Sequence, residues 1–169
     1  MRRAALGAAV ALAMACAGGK PQPGKDSDQT PSWLAEGTGA VRSENGRKLQ
    51  GVGVASGVND PKARRRQADN AAREQVQAAV DALARALARA GESPQDGEAM
   101  RAIARKAGAQ LAAIRDHWVT PDGDERALGV IDFDEFKRAV QSGNGDERVR
   151  REMSSNLDRA FDQVAAGAR

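Results

Sequence analysis

Cysteine, histidine and tyrosine are nearly or wholly absent from this chain of 169 residues, which has one cysteine, one histidine and no tyrosine. A single thiol cannot form an intrachain disulfide, so the core alone must hold the fold. Zinc sites draw on several cysteine and histidine side chains, and His117 has no such companions. We therefore predict that His117 is a structural residue on a strand or at a sheet edge, and we predict no catalytic residue, metal ligand or cofactor site.

Aromatic residues make up only 3% of the chain, and neither sign of charge dominates, with 26 Lys and Arg against 23 Asp and Glu. Two of the cations, Arg2 and Arg3, stand before an apolar N-terminal run, and without them the charges almost cancel. Proteins that bind nucleic acids rely on basic surface and on aromatic stacking. The composition therefore disfavours a nucleic-acid partner.

Long apolar runs are missing after the N-terminus, and no later segment is apolar enough to span a bilayer. The N-terminus has a charged start, an uncharged run from Ala4 to Ala15, and the lone Cys16 directly after a small residue. This layout is typical of a secretory signal peptide, and a cysteine at that place is typical of a lipobox. We predict a signal peptide at residues 1–15, acylation of Cys16, and attachment to a membrane through that lipid.

Two alternatives for Cys16 stay open, namely secretion with cleavage nearby and retention of the apolar run as an uncleaved anchor. Residues 16–31 are rich in Gly, Pro and polar side chains, a composition that predicts a flexible tether. We expect one folded domain over residues 32–169. Trp33 at its edge is expected to seal the core, with an exposed partner contact as the alternative.

Apolar periodicity predicts an α+β fold for that domain. A strand is expected over Lys48–Ala55, and the longest amphipathic pattern, Lys62–Ala90, predicts a long helix. A second helix (Glu98–Ala112), a hairpin around Pro121–Asp124, a short helix capped by Asp134 and a C-terminal helix complete the order. We expect a small antiparallel sheet of about three strands packed against the long helix and the further C-terminal helices.

The glycines of Gly51–Gly57 invite comparison with a nucleotide-binding loop, because glycines before a helix can let a pyrophosphate approach the backbone. Here the glycines lie inside the predicted strand rather than after it. A strand that packs closely against its neighbour is therefore the better interpretation.

Residues Gly129–Phe136 resemble the second half of a calcium-binding EF-hand loop, with Asp132 and Glu135 as the candidate oxygen ligands. In that register Arg126 and Leu128 occupy positions that should supply oxygen, although calcium needs about six to eight oxygen ligands. A hairpin strand that runs into a capped helix explains the same residues. We therefore do not expect calcium to bind.

A basic run opens the long helix, and its residues Arg64, Arg65 and Arg66 are candidate partner contacts, as is Trp33. Cations at a helix N-terminus are unfavourable to the helix dipole, which favours a binding role for them. A solvated first helical turn is the alternative.

Four short segments, in this order and spacing, resemble the LPP-twenty lipoprotein family. They are Pro31–Trp33, Gly51–Ala55, Ala63–Gln75 and His117–Gly123, and the resemblance covers about Ser32 to Val140. This family comprises bacterial envelope lipoproteins that share a domain type with the N-terminal part of a flagellar T-ring protein. The chain departs from the family at Arg126–Leu128, where the family favours an aromatic residue. The resemblance implies an α+β domain and a non-enzymatic envelope role.

The sequence thus predicts a lipid-anchored, non-catalytic envelope protein that binds another envelope protein or copies of itself. Ala17, rather than Asp, follows the cysteine, and lipoprotein sorting habits then favour the outer membrane. We expect the domain to face the periplasm, with exposure at the cell surface as the alternative. The alternative is a regulatory lipoprotein that contacts cell-wall synthesis enzymes or peptidoglycan through the basic run. An enzyme stands third, because no nucleophile, base and stabiliser can be assembled from the residues.

Overall fold

The structure, a computed structural model, describes residues 30–44 and 46–167. Cys16, the predicted signal peptide and nearly all of the predicted tether lie outside these residues. In chain order the elements are α1 (Ser32–Glu36), β1 (Gly39–Ser43), β2 (Gly46–Ala55), α2 (Pro61–Ala88), α3 (Pro94–Leu111), β3 (Ala113–Val119), β4 (Glu125–Asp132), α4 (Phe133–Ser142) and α5 (Glu147–Gly167). The α+β class is confirmed.

The strands form one antiparallel sheet in the order β1-β2-β4-β3. This sheet has one strand more than the three expected, because β1 pairs with β2 through a tight hairpin closed by Ser43 and Gly46. The extra strand offers little pattern in the sequence, since Ala40 and Val41 are its only apolar side chains. Strand β1 is held in place by its backbone hydrogen bonds with β2.

The long helix α2 packs along one face of the sheet, which we call the inner face. Asp60 caps the helix by accepting hydrogen bonds from the Lys62 and Ala63 backbone N–H groups, and Pro61 occupies the first helical position. The buried side of α2 is mostly alanine, with members Ala68, Ala72, Val76, Ala79, Val80, Leu83, Ala84, Ala86 and Leu87. Small side chains let the helix backbone approach the sheet closely.

The glycines of β2 are the places where that approach is closest. A Cβ placed on Gly51 would lie 2.4 Å from the Val76 backbone nitrogen, far inside van der Waals contact. The close-packed interpretation is confirmed for Gly51 and Gly53, where the α2 backbone fills the space that a bound pyrophosphate would need, whereas a Cβ placed on Gly57 would contact nothing among the described residues.

The core lies between the inner face and the four longer helices. Its largest fully buried side chains include Leu49 on β2, Ile131 on β4 and Phe133, Phe136 and Phe161 on α4 and α5. The rings of Phe133 and Phe161 are 4.4 Å apart between centroids, which joins α5 to the start of α4.

The cap of α4 is Asp132 rather than the expected Asp134. The Asp132 carboxylate accepts a hydrogen bond of 2.9 Å from the Glu135 backbone N–H. Strand β4 ends at Asp132 and the helix starts at the next residue, so no loop separates the two elements and the last strand residue serves as the cap.

Within residues 30–44 and 46–167, no helix combines the length and apolar character needed to cross a membrane.

Candidate functional site

The short helix α1 lies on the outer face of the sheet, opposite α2. The Trp33 indole Nε1–H donates to the Asp116 carboxylate on β3 at 2.9 Å. Gln50 on β2 is fully buried, and its side-chain amide donates to the backbone carbonyls of Trp33 and Gly37 at 3.1 and 2.7 Å. Trp33 is only 7% exposed, so it seals the outer face, and a partner could reach no more than a small part of the indole.

Beyond α1, three side chains form a row across the outer face. Arg126 on β4 pairs with Val54 on β2 and with Trp118 on β3. Cross-strand partners project to the same side of a sheet, so the three side chains are neighbours. We call Val54, Arg126 and Trp118 the outer-face row. Val54, the second-last residue of β2, is 40% exposed, a high degree for a large apolar side chain on a strand.

Two polar atoms of the outer-face row have no hydrogen-bond partner among the described residues. They are the Arg126 Nε and the Trp118 Nε1, both shielded from solvent. A shielded donor without an acceptor costs free energy, typically about 1–3 kcal/mol. A side-chain rotation that brought either N–H to a partner's carboxylate or carbonyl oxygen would remove that cost, which makes the row a candidate contact surface.

The three predicted contact arginines at the start of α2 have different surroundings. The Arg64 guanidinium lies 3.6 Å from the carboxylate of Glu125, which is buried, and donates to the Val58 carbonyl. The Arg65 guanidinium donates to the His117 ring at 3.0 Å. Arg66 is exposed, with no carboxylate within 4.0 Å among the described residues. Arg64 therefore stabilises the fold, and Arg66 is the one of the three that points freely to solvent.

The sole histidine lies on edge strand β3, between Arg65 and Asp69 of α2. The His117 Nε2 and the Asp69 carboxylate are 2.6 Å apart, and the Nδ1 accepts the hydrogen bond from Arg65. An arginine can only donate, so Nδ1 must accept and Nε2 must carry the proton. These contacts fasten the edge strand to the long helix, as expected of a structural histidine at a sheet edge.

On the helix layer, α2 and α5 enclose an open groove of about 440 Å³. Alanines of α2 form its floor, and Arg85 and Arg89 of the same helix line it. A smaller depression of about 150 Å³ shares Arg89 and adds Arg159 of α5. The sequence analysis did not identify this groove. The four-residue spacing of Arg85 and Arg89 indicated that they share one side of a helix. That spacing does not show which other helix lies opposite them.

Acidic side chains elsewhere serve the fold. The Asp96 carboxylate accepts hydrogen bonds from the Ser93 hydroxyl and from Arg148 of α5, which hold the pKa of Asp96 below its usual value. Lys137 and Arg47 lower the pKa of Asp158 in the same way. These pairs join α3 to α5, and α4 and β2 to α5.

The described residues contain no group of three or more His, Cys, Asp and Glu side chains that could hold a metal ion. Of the two EF-hand candidates, Asp132 is occupied as the cap of α4 and Glu135 lies exposed in its first turn. The hairpin of β3 and β4 takes the place of the incoming helix that an EF-hand requires.

Comparisons of the chain with family models, with curated proteins and with solved structures found no match.

Proposed function

We propose that this protein is a lipid-anchored, non-catalytic lipoprotein of the bacterial outer membrane whose α+β domain binds another envelope protein. The resemblance to the LPP-twenty family supports the proposal from the sequence. The outer-face row carries the interaction part of it from the structure. The remaining parts of the proposal are that the protein is anchored through Cys16 and that its domain faces the periplasm.

The anchor is supported by where the domain begins. Helix α1 starts at Ser32, so about 15 residues separate it from Cys16. The composition of those residues predicts a tether, which would keep the domain near the membrane.

The outer-face row has the composition of a binding hot spot. Trp and Arg are the residue types most enriched where interfaces concentrate their binding energy. Here Trp118 and Arg126, both partly buried, lie beside the exposed Val54. The Trp118 Nε1 and the Arg126 Nε have no acceptor among the described residues. A partner that offers an apolar side chain and an oxygen acceptor would fit this row.

The anchor is tested by mass spectrometry of the protein from the membrane fraction, where we expect acyl chains on Cys16. A Cys16→Ser variant should leave the membrane fraction. If that variant stays bound to the membrane with an uncleaved N-terminus, the lipid anchor is wrong and the apolar run itself is the anchor.

The interaction surface is tested by site-specific photocrosslinking in cells, with the crosslinker at position 54. We expect a discrete adduct with one envelope protein, or with a second copy of the chain, and we expect Arg126→Glu to abolish it. The control position is Gln110, which is exposed on α3. Adducts of equal yield and pattern from both positions would contradict a specific surface.

The alternative role is regulatory contact with cell-wall synthesis enzymes or with peptidoglycan. It is favoured by Lys62 and Arg66, which are exposed and have no carboxylate within 4.0 Å among the described residues. Sedimentation with purified cell wall tests the polymer contact. Two results together would replace the leading proposal by this one. The Lys62→Gln/Arg66→Gln variant would no longer sediment with the cell wall, and the wild-type protein would give no crosslinked adduct from position 54.

A further inference from the structure

The groove between α2 and α5 combines an apolar floor with concentrated positive charge. Ala78 and Ala82 of α2 and Val164 of α5 form apolar parts of its lining, and Arg85 and Arg89 continue the α2 side. Thr38 and Gly39, just after α1, also line the groove.

The two arginines are one helical turn apart on one face of α2 and repel each other. Neither has a carboxylate within 4.0 Å or a hydrogen-bond acceptor in the part of the chain that the structure describes. The nearby Asp81 of the same helix is engaged by Arg105 of α3 at 2.8 Å. Among the described residues these guanidinium groups therefore have no ionic partner, and only the C-terminal end of α2, with Arg85 in its last turn and Arg89 as its C-cap, offsets their charge through the helix dipole.

A third guanidinium extends this charge along the groove. Arg159 of α5 lines the adjoining depression together with Arg89, and its hydrogen bond goes to the neutral Asn156 of its own helix. An anion at the junction would thus meet guanidinium groups from both helices. Arginine is well suited to phosphate, because its planar group offers two parallel N–H donors.

We propose that this groove docks the domain on the membrane by binding the phosphate of an anionic phospholipid, with the alanine floor contacting the start of the lipid chain. Charge complementarity selects the phosphate, and the apolar floor selects a ligand with a hydrocarbon part. The proposal rests on the lipid anchor for proximity, since acylation of Cys16 would keep the domain at a membrane. The outer-face row, on the opposite side of the sheet, would remain open to a protein partner.

Vesicle binding tests the proposal without the anchor. The protein is the chain from residue 16 onward with Cys16→Ser, and the probes are vesicles of phosphatidylcholine with and without phosphatidylglycerol in about 0.15 M salt. We expect flotation with the anionic vesicles only. Each arginine near an anionic surface contributes about fivefold, so Arg85→Gln/Arg89→Gln should weaken binding by roughly 30-fold.

The matched control is Arg73→Gln/Lys106→Gln, which removes the same charge from exposed positions on α2 and α3. We expect it to change binding by less than about threefold, a minor effect of net charge. A second variant, Ala78→Glu, places an anion at an exposed position on the groove floor and should also abolish binding. Thermal unfolding of all variants should match that of the parent chain.

Three results would overturn the proposal. Equal loss in both double variants would mean that the whole basic surface, rather than the groove, attracts lipid. Binding of inorganic phosphate without binding to vesicles would assign the groove to a soluble anion. A dimer in light scattering that Arg85→Gln/Arg89→Gln dissociates would assign it to an acidic segment of a second copy. None of these results bears on acylation of Cys16, which mass spectrometry tests separately.

Discussion

A Cβ placed on Gly53 would lie 2.1 Å from the backbone carbonyl oxygen of Ala68 and 2.2 Å from the backbone nitrogen of Ala72. Both contacts join the strand to the helix backbone, which cannot rotate away as a long side chain could. The distance between β2 and α2 is therefore set by the absence of a side chain at position 53 together with alanines opposite. The sheet, the long helix and everything packed on them depend on that spacing.

We predict that Gly53→Ala destabilises the domain by about 3 kcal/mol or more, at the upper end of the effect of overpacking a core. The added methyl group must displace α2 as a whole, and this also loosens the core on either side. Urea unfolding followed by circular dichroism measures the change in the free energy of unfolding.

The control is Val54→Ala at the next position, whose side chain projects to the outer face and is 40% exposed. We expect it to cost less than about 1 kcal/mol, because only exposed apolar area is lost. Similar losses from the two variants would show that position 53 is not the close contact.

The buried amide of Gln50 holds α1 on the sheet by donating to carbonyls at both ends of that helix. Gln50→Met keeps the length of the side chain but removes both donors, so we expect a loss of about 1–3 kcal/mol. Hydrogen exchange of the α1 amides should accelerate more than exchange in α2. Gln110→Met, at an exposed position of α3, should change neither the stability nor the exchange of α1. If Gln50→Met left exchange in α1 unchanged, Trp33 alone would fix the helix.

Stability should fall in acid because of the carboxylates of Asp96 and Asp158. Hydrogen bonds from Ser93 and Arg148 lower the pKa of Asp96, and those from Lys137 and Arg47 lower the pKa of Asp158, below the usual 3.8. The unfolded chain then binds protons at a higher pH than the folded one, so the stabilisation is complete above the usual pKa and is lost as the pH falls through the folded-state values.

We therefore expect the free energy of unfolding to be nearly constant from about pH 7 to pH 5 and to drop below about pH 4. Urea titrations across this range give the measurement. An Arg148→Gln variant should be less stable at neutral pH and show a shallower drop in acid, because it removes one cause of the lowered pKa of Asp96. A steeper drop in that variant would contradict the assignment.

The hydrogen bonds of His117 predict its tautomer. Nitrogen-15 NMR should show the proton on Nε2, directed at Asp69, with Nδ1 accepting from Arg65. Asp69→Asn keeps an oxygen acceptor and should cost little, whereas Asp69→Leu should cost about 1 kcal/mol. A proton on Nδ1 would show that Arg65 does not contact the ring.

Much of the fold could be predicted because its elements follow from local patterns. The alanine and leucine periodicity of α2, the turn around Gly123 and the apolar run of β4 are each visible within a single segment of the sequence. Helix α1 and strand β1 could not be found this way. Each has five residues and weak patterning, and each is ordered by contacts with residues of β2.

The candidate surfaces divide in the same way. The basic run at the start of α2 is visible in the sequence, but only the structure shows that Arg64 is held by the buried Glu125 while Arg66 is exposed. The outer-face row joins residues from three strands, and the groove joins two helices far apart in the chain. Periodicity within one segment does not show which residues of another segment lie beside it.

The sequence by itself determined the α+β class, the close-packed role of the β2 glycines and the structural role of His117, because residue type and spacing alone constrain them. The candidate Cys16 anchor likewise depends only on the N-terminal residues. Tertiary structure decided which polar groups are neutralised within the fold and which remain for partners. That difference arises because burial and ion pairing depend on residues brought together from distant parts of the chain, as Arg148 is brought to Asp96 while Arg85 and Arg89 meet no carboxylate among the described residues.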